Sequence, residues 1–511
     1  LAIGWRGNFF DRKRDLLKFT FAAMSLVKKL ASETAIYGLS SIIGRFLNVM
    51  LLPLYTHLLG QGEYGVVTDL YATSAFLMII FSYRMESAFF RFGTPKEDRA
   101  RTFSTGMISL LVTTAVITGA ILLFEQPIAD AARYSAHPEY IRWFALMLAF
   151  DCLAELPFAK LRLEQRPMRF VFAKFVNIGT NIALNLFWLL FCPWAAKNGI
   201  EWVHFVWAPG LGVGYIFLSN VFASAVTLLI LLPALRGIKL PFDKVLWHKM
   251  MVYAAPLIIV GFAGIINEML SRTMMKYLLP GTHDENMAQL GIFGANYKLA
   301  MLITLFTQAY RYAAEPFFFR HAADKDAMST QAEVTKWFTI AGAAGMLGIL
   351  LFLDLVKGFI GEKFHSGLHV VPILLFANLL LGVYYNFSIW YRLKDRTGLG
   401  AWISMAGAGI TILLNILLIP HFGYTGAAWI TLACYAFMTW ATWLTGKKHY
   451  PVPYPLGRMA FYPVLALTLW MASIWLAPML LMEALWGVRV VFFGGFCGTV
   501  YWLELWKRAL S

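Results

Sequence analysis

Apolar positions along this chain come mostly as continuous runs, without the in-and-out alternation of barrel strands. Runs of about 20 apolar residues recur from Thr34 to Leu503, and each is long enough to cross ~30 Å of hydrocarbon as a helix. An unbroken run reads as a helix because a lipid-facing segment must satisfy its own backbone hydrogen bonds. The pattern predicts helices at roughly 34–59, 64–91, 103–124, 140–161, 170–192, 211–233, 253–278, 289–314, 337–356, 368–391, 399–419, 424–444, 459–478 and 487–503. The expectation is an all-α polytopic membrane protein of about fourteen transmembrane helices.

The loops between these runs are short and unequal in charge. Alternate loops hold Lys96, Arg99 and Arg101; Arg162, Arg166 and Arg169; Arg236, Lys239, Lys244 and Lys249. The series continues with Arg320, Lys325 and Lys336; Arg392, Lys394 and Arg396; Lys447, Lys448 and Arg458; and Lys507 and Arg508. The opposite loops hold chiefly Arg133, Lys197, Lys357 and Lys363. The positive-inside rule then places both termini in the cytoplasm of a multi-pass protein, with the bacterial inner membrane as the expected location. Met24 opens the stretch MSLVKKLASE, so residues 1–23 are expected to be an upstream extension or part of a basic cytosolic segment covering 1–33.

The pattern also repeats. Shifting Leu161–Leu186 by 230 residues onto Tyr391–Ile416 pairs Arg162 with Arg392, Arg166 with Arg396, Gly179 with Gly409 and Asn185 with Asn415. A second shift, of 226, puts Gly65 on Gly291 and Tyr71 on Tyr297. Six predicted helices lie in each copy, and an even number preserves orientation, so the copies are parallel. The expected division is a first lobe over 34–233, a second over 250–445, and two further helices over 458–503.

Composition adds little that the pattern does not already say. The chain is 59% hydrophobic and 14% charged, where a soluble protein needs roughly a quarter charged residues. The net charge of +15 is accounted for by topology and anionic lipid, without nucleic acid. The four cysteines stand singly and the histidines are scattered, so no metal site is expected.

Three segments carry a resemblance. GRFLNVMLLPLYTHLLGQGEYG (44–65), LGIFGANYKLAMLITLFTQAYRYAAEPFFF (290–319) and LNILLIPHFGYTGAAWITLACY (414–435) resemble the polysaccharide transporter family, the oligosaccharide flippases of the multidrug/oligosaccharidyl-lipid/polysaccharide superfamily. The resemblance implies two six-helix lobes in a V around a central cavity. It also implies flipping of undecaprenyl-pyrophosphate-linked sugars, with polysaccharide polymerase or ligase machinery as further partners. Relatives often show Asn-x-x-x-Asp-Arg in the seventh helix; here Ser271 stands at the aspartate's place, between Asn267 and Arg272.

Charge retained inside the spans is the informative chemistry, since each such group costs about 2.5–3.5 kcal/mol on insertion scales. Arg45, Arg84, Arg272, Lys298 and Arg311 fall within predicted helices. A guanidinium fork matches phosphate oxygens with parallel hydrogen bonds, so these five are the candidates for holding a lipid pyrophosphate. Two have an acid one helical turn away that would satisfy them internally: Glu268 for Arg272 and Glu315 for Arg311. Glu268, with Asn415 and Thr431, is the candidate set for coupling to sodium or protons; no other cofactor is expected. The competing readings are a lipid II flippase, an exporter of cationic drugs, a membrane-embedded enzyme and a passive scaffold. An enzyme needs a catalytic constellation, and the short outer loops hold none, so a transporter is the expectation.

Overall fold

The computed structural model describes residues 43–44, 46–47, 49–235, 242–322 and 324–506. Arg45, the basic segment 1–33 and the loop residues Arg236 and Lys239 lie outside them. The described residues are almost wholly helical, with no strand among them. In chain order the main elements are α1 (Leu51–Leu58), α2 (Gln61–Ser82), α3 (Met85–Gly93), α4 (Lys96–Leu123), α5 (Pro138–Leu163), α6 (Pro167–Leu186) and α7 (Gly214–Leu235). They continue with α8 (Lys244–Leu278), α9 (His283–Arg320), α10 (Ala327–Leu351), α11 (Val371–Phe387), α12 (Thr397–His449), α13 (Leu456–Leu476) and α14 (Met482–Val500).

Eleven helical stretches among the described residues are long and apolar enough to cross a membrane. One is α12, whose 53 residues would reach about 80 Å if straight. It bends instead at Gly423, where φ 56° and ψ −140° suit only a residue without Cβ, three residues after Pro420. The bend falls in the interval between the predicted spans 399–419 and 424–444. Helix α5, with Asp151, Glu155 and Lys160 along it, is not among the eleven. The predicted helix over 64–91 is broken: Tyr83 and Arg84 both take left-handed φ, 32° and 58°, and α3 starts anew beyond them.

One local turn recurs at two positions that the 230-residue shift pairs. Gln165 and Asp395, 230 residues apart, both turn at positive φ, 54° and 52°. The amides just after them, of Arg166 and Arg396, donate to the carbonyls of Leu161 and Tyr391 at 2.9 and 2.7 Å. Arg162 and Arg392 then pair with the carboxylates of Glu86 and Glu315, near the ends of α3 and α9. The same turn, leading into the same kind of ion pair, closes one end of each copy.

The two copies meet chiefly where α2 packs along α9 and where α8 crosses α2 and α3. Glycine makes the first contact close: a Cβ on Gly65 would fall on the Met287 carbonyl, and one on Gly291 on the Gln61 carbonyl. Backbone this near allows no relief by rotamer change. Gly291→Ala is therefore expected to destabilise the packed form by about 1–3 kcal/mol, read as a lowered melting temperature of the purified protein. Gly264→Ala, whose Cβ meets open space, is the matched control.

Helices α13 and α14 pack on α10 and are fastened at both ends. At one end Glu504, just beyond α14, takes Lys336 of α10 at 2.5 Å, Tyr462 at 3.0 Å and Arg458 at 3.2 Å. At the other, Arg489 reaches Asp354 at 2.7 Å, which also holds Lys357.

Candidate functional site

Between the copies lies a cavity of ≈ 280 Å³, enclosed by α1, α2, α6, α7, α8 and α9. Its wall from the first copy is uncharged, with Tyr55, Tyr64, Thr68, Tyr71, Asn181 and Asn220. These side chains are held in place: Tyr55 donates to Asn185 at 3.0 Å and Asn220 to Tyr71 at 2.7 Å. The opposite wall carries the charge, Arg272 and Glu268 on α8 and Lys298 on α9. Among the lining residues two cations thus face one carboxylate.

Arg272 is the most constrained of the three. It is 9% exposed, and its guanidinium carbon sits 4.1 Å from the Tyr297 ring centroid, a cation–π contact. Nη1 reaches only the Met269 sulfur, at 2.6 Å, a weak acceptor. Nε and Nη2 have no hydrogen-bond partner among the described residues. No ion pair forms with Glu268, one turn back, which is exposed and lines the cavity. Each orphaned buried donor costs about 1–3 kcal/mol, a cost that an acceptor brought to these atoms would offset. The guanidinium plane, stacked on one face, leaves its forked edge for oxygen acceptors.

The other candidates lie elsewhere. Arg84 sits at the α2–α3 break with its guanidinium filling the space that a side chain on Gly261 of α8 would take. Arg311 gives Nε and Nη2 to Glu315 at 3.1 and 3.0 Å and stacks on Tyr385 at 4.0 Å. Arg392 takes the same carboxylate with two further bonds, so Arg311 belongs to a closed cluster. Asn415 is wholly buried in α12, its amide without a partner among the described residues. Thr431 donates to the Ala427 carbonyl at 2.9 Å. Neither lines the cavity with Glu268. The residue of that region that does bind α12 is Asn267, through the Ser404 carbonyl at 3.1 Å and the Thr411 hydroxyl at 3.4 Å. Among the described residues there is no group of three or more potential metal ligands.

Sequence reading passed over Lys276, one turn beyond Arg272. Its ammonium lies 2.6 Å from the Asp69 carboxylate, and both side chains are almost fully buried. Asp69 lies 207 positions away, so no local spacing announces the pair. At the far end of α8 the chain is also tied to the first copy. Trp247 donates to Ser109 at 2.8 Å, and Asp243 caps the helix through the Leu246 amide at 2.9 Å and pairs with Arg101. That amide, and then Arg101, hold the Asp243 carboxyl below its usual range.

A second pocket, of ≈ 430 Å³, opens inside the first copy near Arg162. Asp151, Glu155 and Glu86 line it together with Lys174 and Arg162, so its charges lie in a mixed set.

No protein-family model matches the chain, and no curated protein matches it in sequence. Solved structures match in fold. The lipid II flippase MurJ, in an inward closed conformation, aligns over 91% of this chain and 99% of its own, with a TM-score of 0.68 and 11% identity. The MATE multidrug transporter DinF-BH, solved in complex with R6G, aligns over 83% and 96%, with a TM-score of 0.59 and 15% identity. An inward-facing multidrug resistance MATE family transporter of the MOP superfamily aligns over 79% and 98%, with a TM-score of 0.55 and 13% identity. The chain is thus an all-α membrane protein with the fold that MurJ and the MATE transporters share.

Proposed function

We propose that the protein is a flippase for a polyprenyl-pyrophosphate-linked oligosaccharide, carrying the head group across the bacterial cytoplasmic membrane by alternating access. The observation that carries this reading is the unpaired, stacked guanidinium of Arg272 facing the same cavity as Lys298. A pyrophosphate brings about two negative charges that cannot cross hydrocarbon unaided. In this reading Arg272 and Lys298 hold the pyrophosphate, the tyrosines and amides of the opposite wall meet the sugar, and the polyprenyl tail stays in lipid. Arg45 is retained as a third cation on sequence grounds alone. Ion coupling through Glu268, Asn415 or Thr431 belongs to the same proposal, as do an O-antigen, capsule or exopolysaccharide precursor as cargo and both termini in the cytoplasm. A lipid II precursor would use the same cations, and the fold likeness to MurJ supports it equally.

One observation favours a second reading, export of a cationic drug: the Asp151–Glu155 pocket in the first copy. Purified protein in liposomes separates the two. Leaflet reversal of a fluorescent pyrophosphate-linked sugar lipid, without movement of a cationic dye, is the expected result. Dye transport without lipid reversal would replace the flippase reading with the exporter.

A further inference from the structure

We propose that Lys276 is a second anion-binding residue on the substrate's way out, masked by Asp69 in this conformation. When α2 and α8 part at this end, Lys276 exchanges Asp69 for the pyrophosphate released by Arg272. The inference rests on the pyrophosphate reading above and adds a site and a switch to it.

Four observations carry it. Lys276 and Asp69 join α8 to α2 across the boundary between the copies, at 2.6 Å, with side chains 3% and 1% exposed. A buried ion pair is poor permanent glue, because desolvation takes back most of its attraction. It is well suited to a contact that opens, since water regains both charges on parting. The carboxylate is unevenly used: Oδ2 takes both Lys276 and the Tyr134 hydroxyl, each at 2.6 Å, while Oδ1 has no partner among the described residues.

Position supplies the rest. Lys276 follows Arg272 by four residues, so it stands on the same side of α8 about 6 Å nearer the α8–α9 turn. Arg133 comes next, its Nη1 3.1 Å from the Lys276 carbonyl and its guanidinium 5.1 Å from the Tyr277 ring centroid. The cations therefore run in series from the cavity toward the end that the charge pattern predicts to be extracytoplasmic. Opening that end must separate α2 from α9 at Gly65 and Gly291, and the Asp69–Lys276 pair lies in the same seam. An anion leaving Arg272 by this route meets Lys276 as soon as Asp69 lets go.

The test uses the whole protein in oriented proteoliposomes. A cysteine reporter on the cavity wall, Met301→Cys, is placed in a Cys497→Ser background, because Cys497 is the exposed native thiol while Cys152, Cys192 and Cys434 are buried. An impermeant thiol reagent is added on the predicted extracytoplasmic side. Asp69→Asn is expected to speed labelling by about tenfold, as a sparsely populated open state becomes common. The exchange Asp69→Lys with Lys276→Asp should return labelling to the parent rate. Farnesyl pyrophosphate is expected to speed labelling of the parent and to have no effect with Lys276→Met. Unchanged labelling with Asp69→Asn, or with the charge exchange still fast, would overturn the switch. Equal acceleration of the parent and Lys276→Met would remove Lys276 from the path and leave the Arg272 reading standing. No acceleration of the parent at all would overturn both.

Discussion

Replacing Arg272 with glutamine is expected to slow leaflet reversal of a pyrophosphate-linked sugar lipid by about a hundredfold, with no loss of folded protein. Truncating one partner of a desolvated charge pair costs about 2–5 kcal/mol, and a hundredfold corresponds to about 2.7 kcal/mol. The second half of the expectation comes from the geometry. Arg272 makes no ion pair and leaves Nε and Nη2 without acceptors among the described residues, so its removal breaks little that holds the fold. Arg272→Lys should fall between, near tenfold, because an ammonium keeps the charge but loses the fork and much of the stacking on Tyr297. Initial rates in liposomes, normalised to monodisperse protein on size exclusion, read both effects. A glutamine variant that transports normally would take Arg272 out of the site.

The second large effect is expected at the accessory helices. Glu504 lies 1% exposed among Lys336, Arg458 and Tyr462, and Lys336 is itself fully buried. Glu504→Ala leaves that buried ammonium with only the partly exposed Glu333, at 3.0 Å, a change that costs up to about 3–5 kcal/mol when a buried pair is broken from one side. Cleavage in the Tyr450–Pro455 connection should become rapid and the melting temperature should fall. Adding Lys336→Met should recover much of the loss, because two apolar neighbours need no counterion. A double variant no better than the single one would show that Glu504 acts through Tyr462 and Arg458.

Much of the helix layout was legible because hydropathy runs report burial in lipid directly. The spans read at 140–161 and 459–478 correspond to helices at Pro138–Leu163 and Leu456–Leu476. Helices that outgrow the prediction do so for a physical reason. The first turns of α8, from Lys244, are amphipathic and pack on α3 and α4, so their charge hid them from a hydropathy window. The break at Tyr83–Arg84 was not legible. It depends on tertiary partners, the Tyr83–Ser109 hydroxyl contact at 2.7 Å and the place of Arg84 against Gly261.

The candidate cations separate along the same line. Spacing anticipated that Glu315 would satisfy Arg311, because that pair is local to one helix. The same spacing suggested Glu268 for Arg272, and there the structure differs, since Tyr297 draws the guanidinium over its ring and Glu268 turns toward the cavity. Lys276 escaped notice because it looks like the end of a span, and Asp69 counted only as one of several acids inside the spans until the fold sets the two together.

Equilibrium binding tests the central claim most directly. Purified protein is titrated with farnesyl pyrophosphate and, separately, with farnesol, and each is challenged with a cationic dye. The account predicts saturable binding of the pyrophosphate, at least about tenfold weaker with Arg272→Gln, indifferent to the dye and absent with farnesol. Equal binding of farnesol and farnesyl pyrophosphate, unaffected by Arg272→Gln, would contradict it.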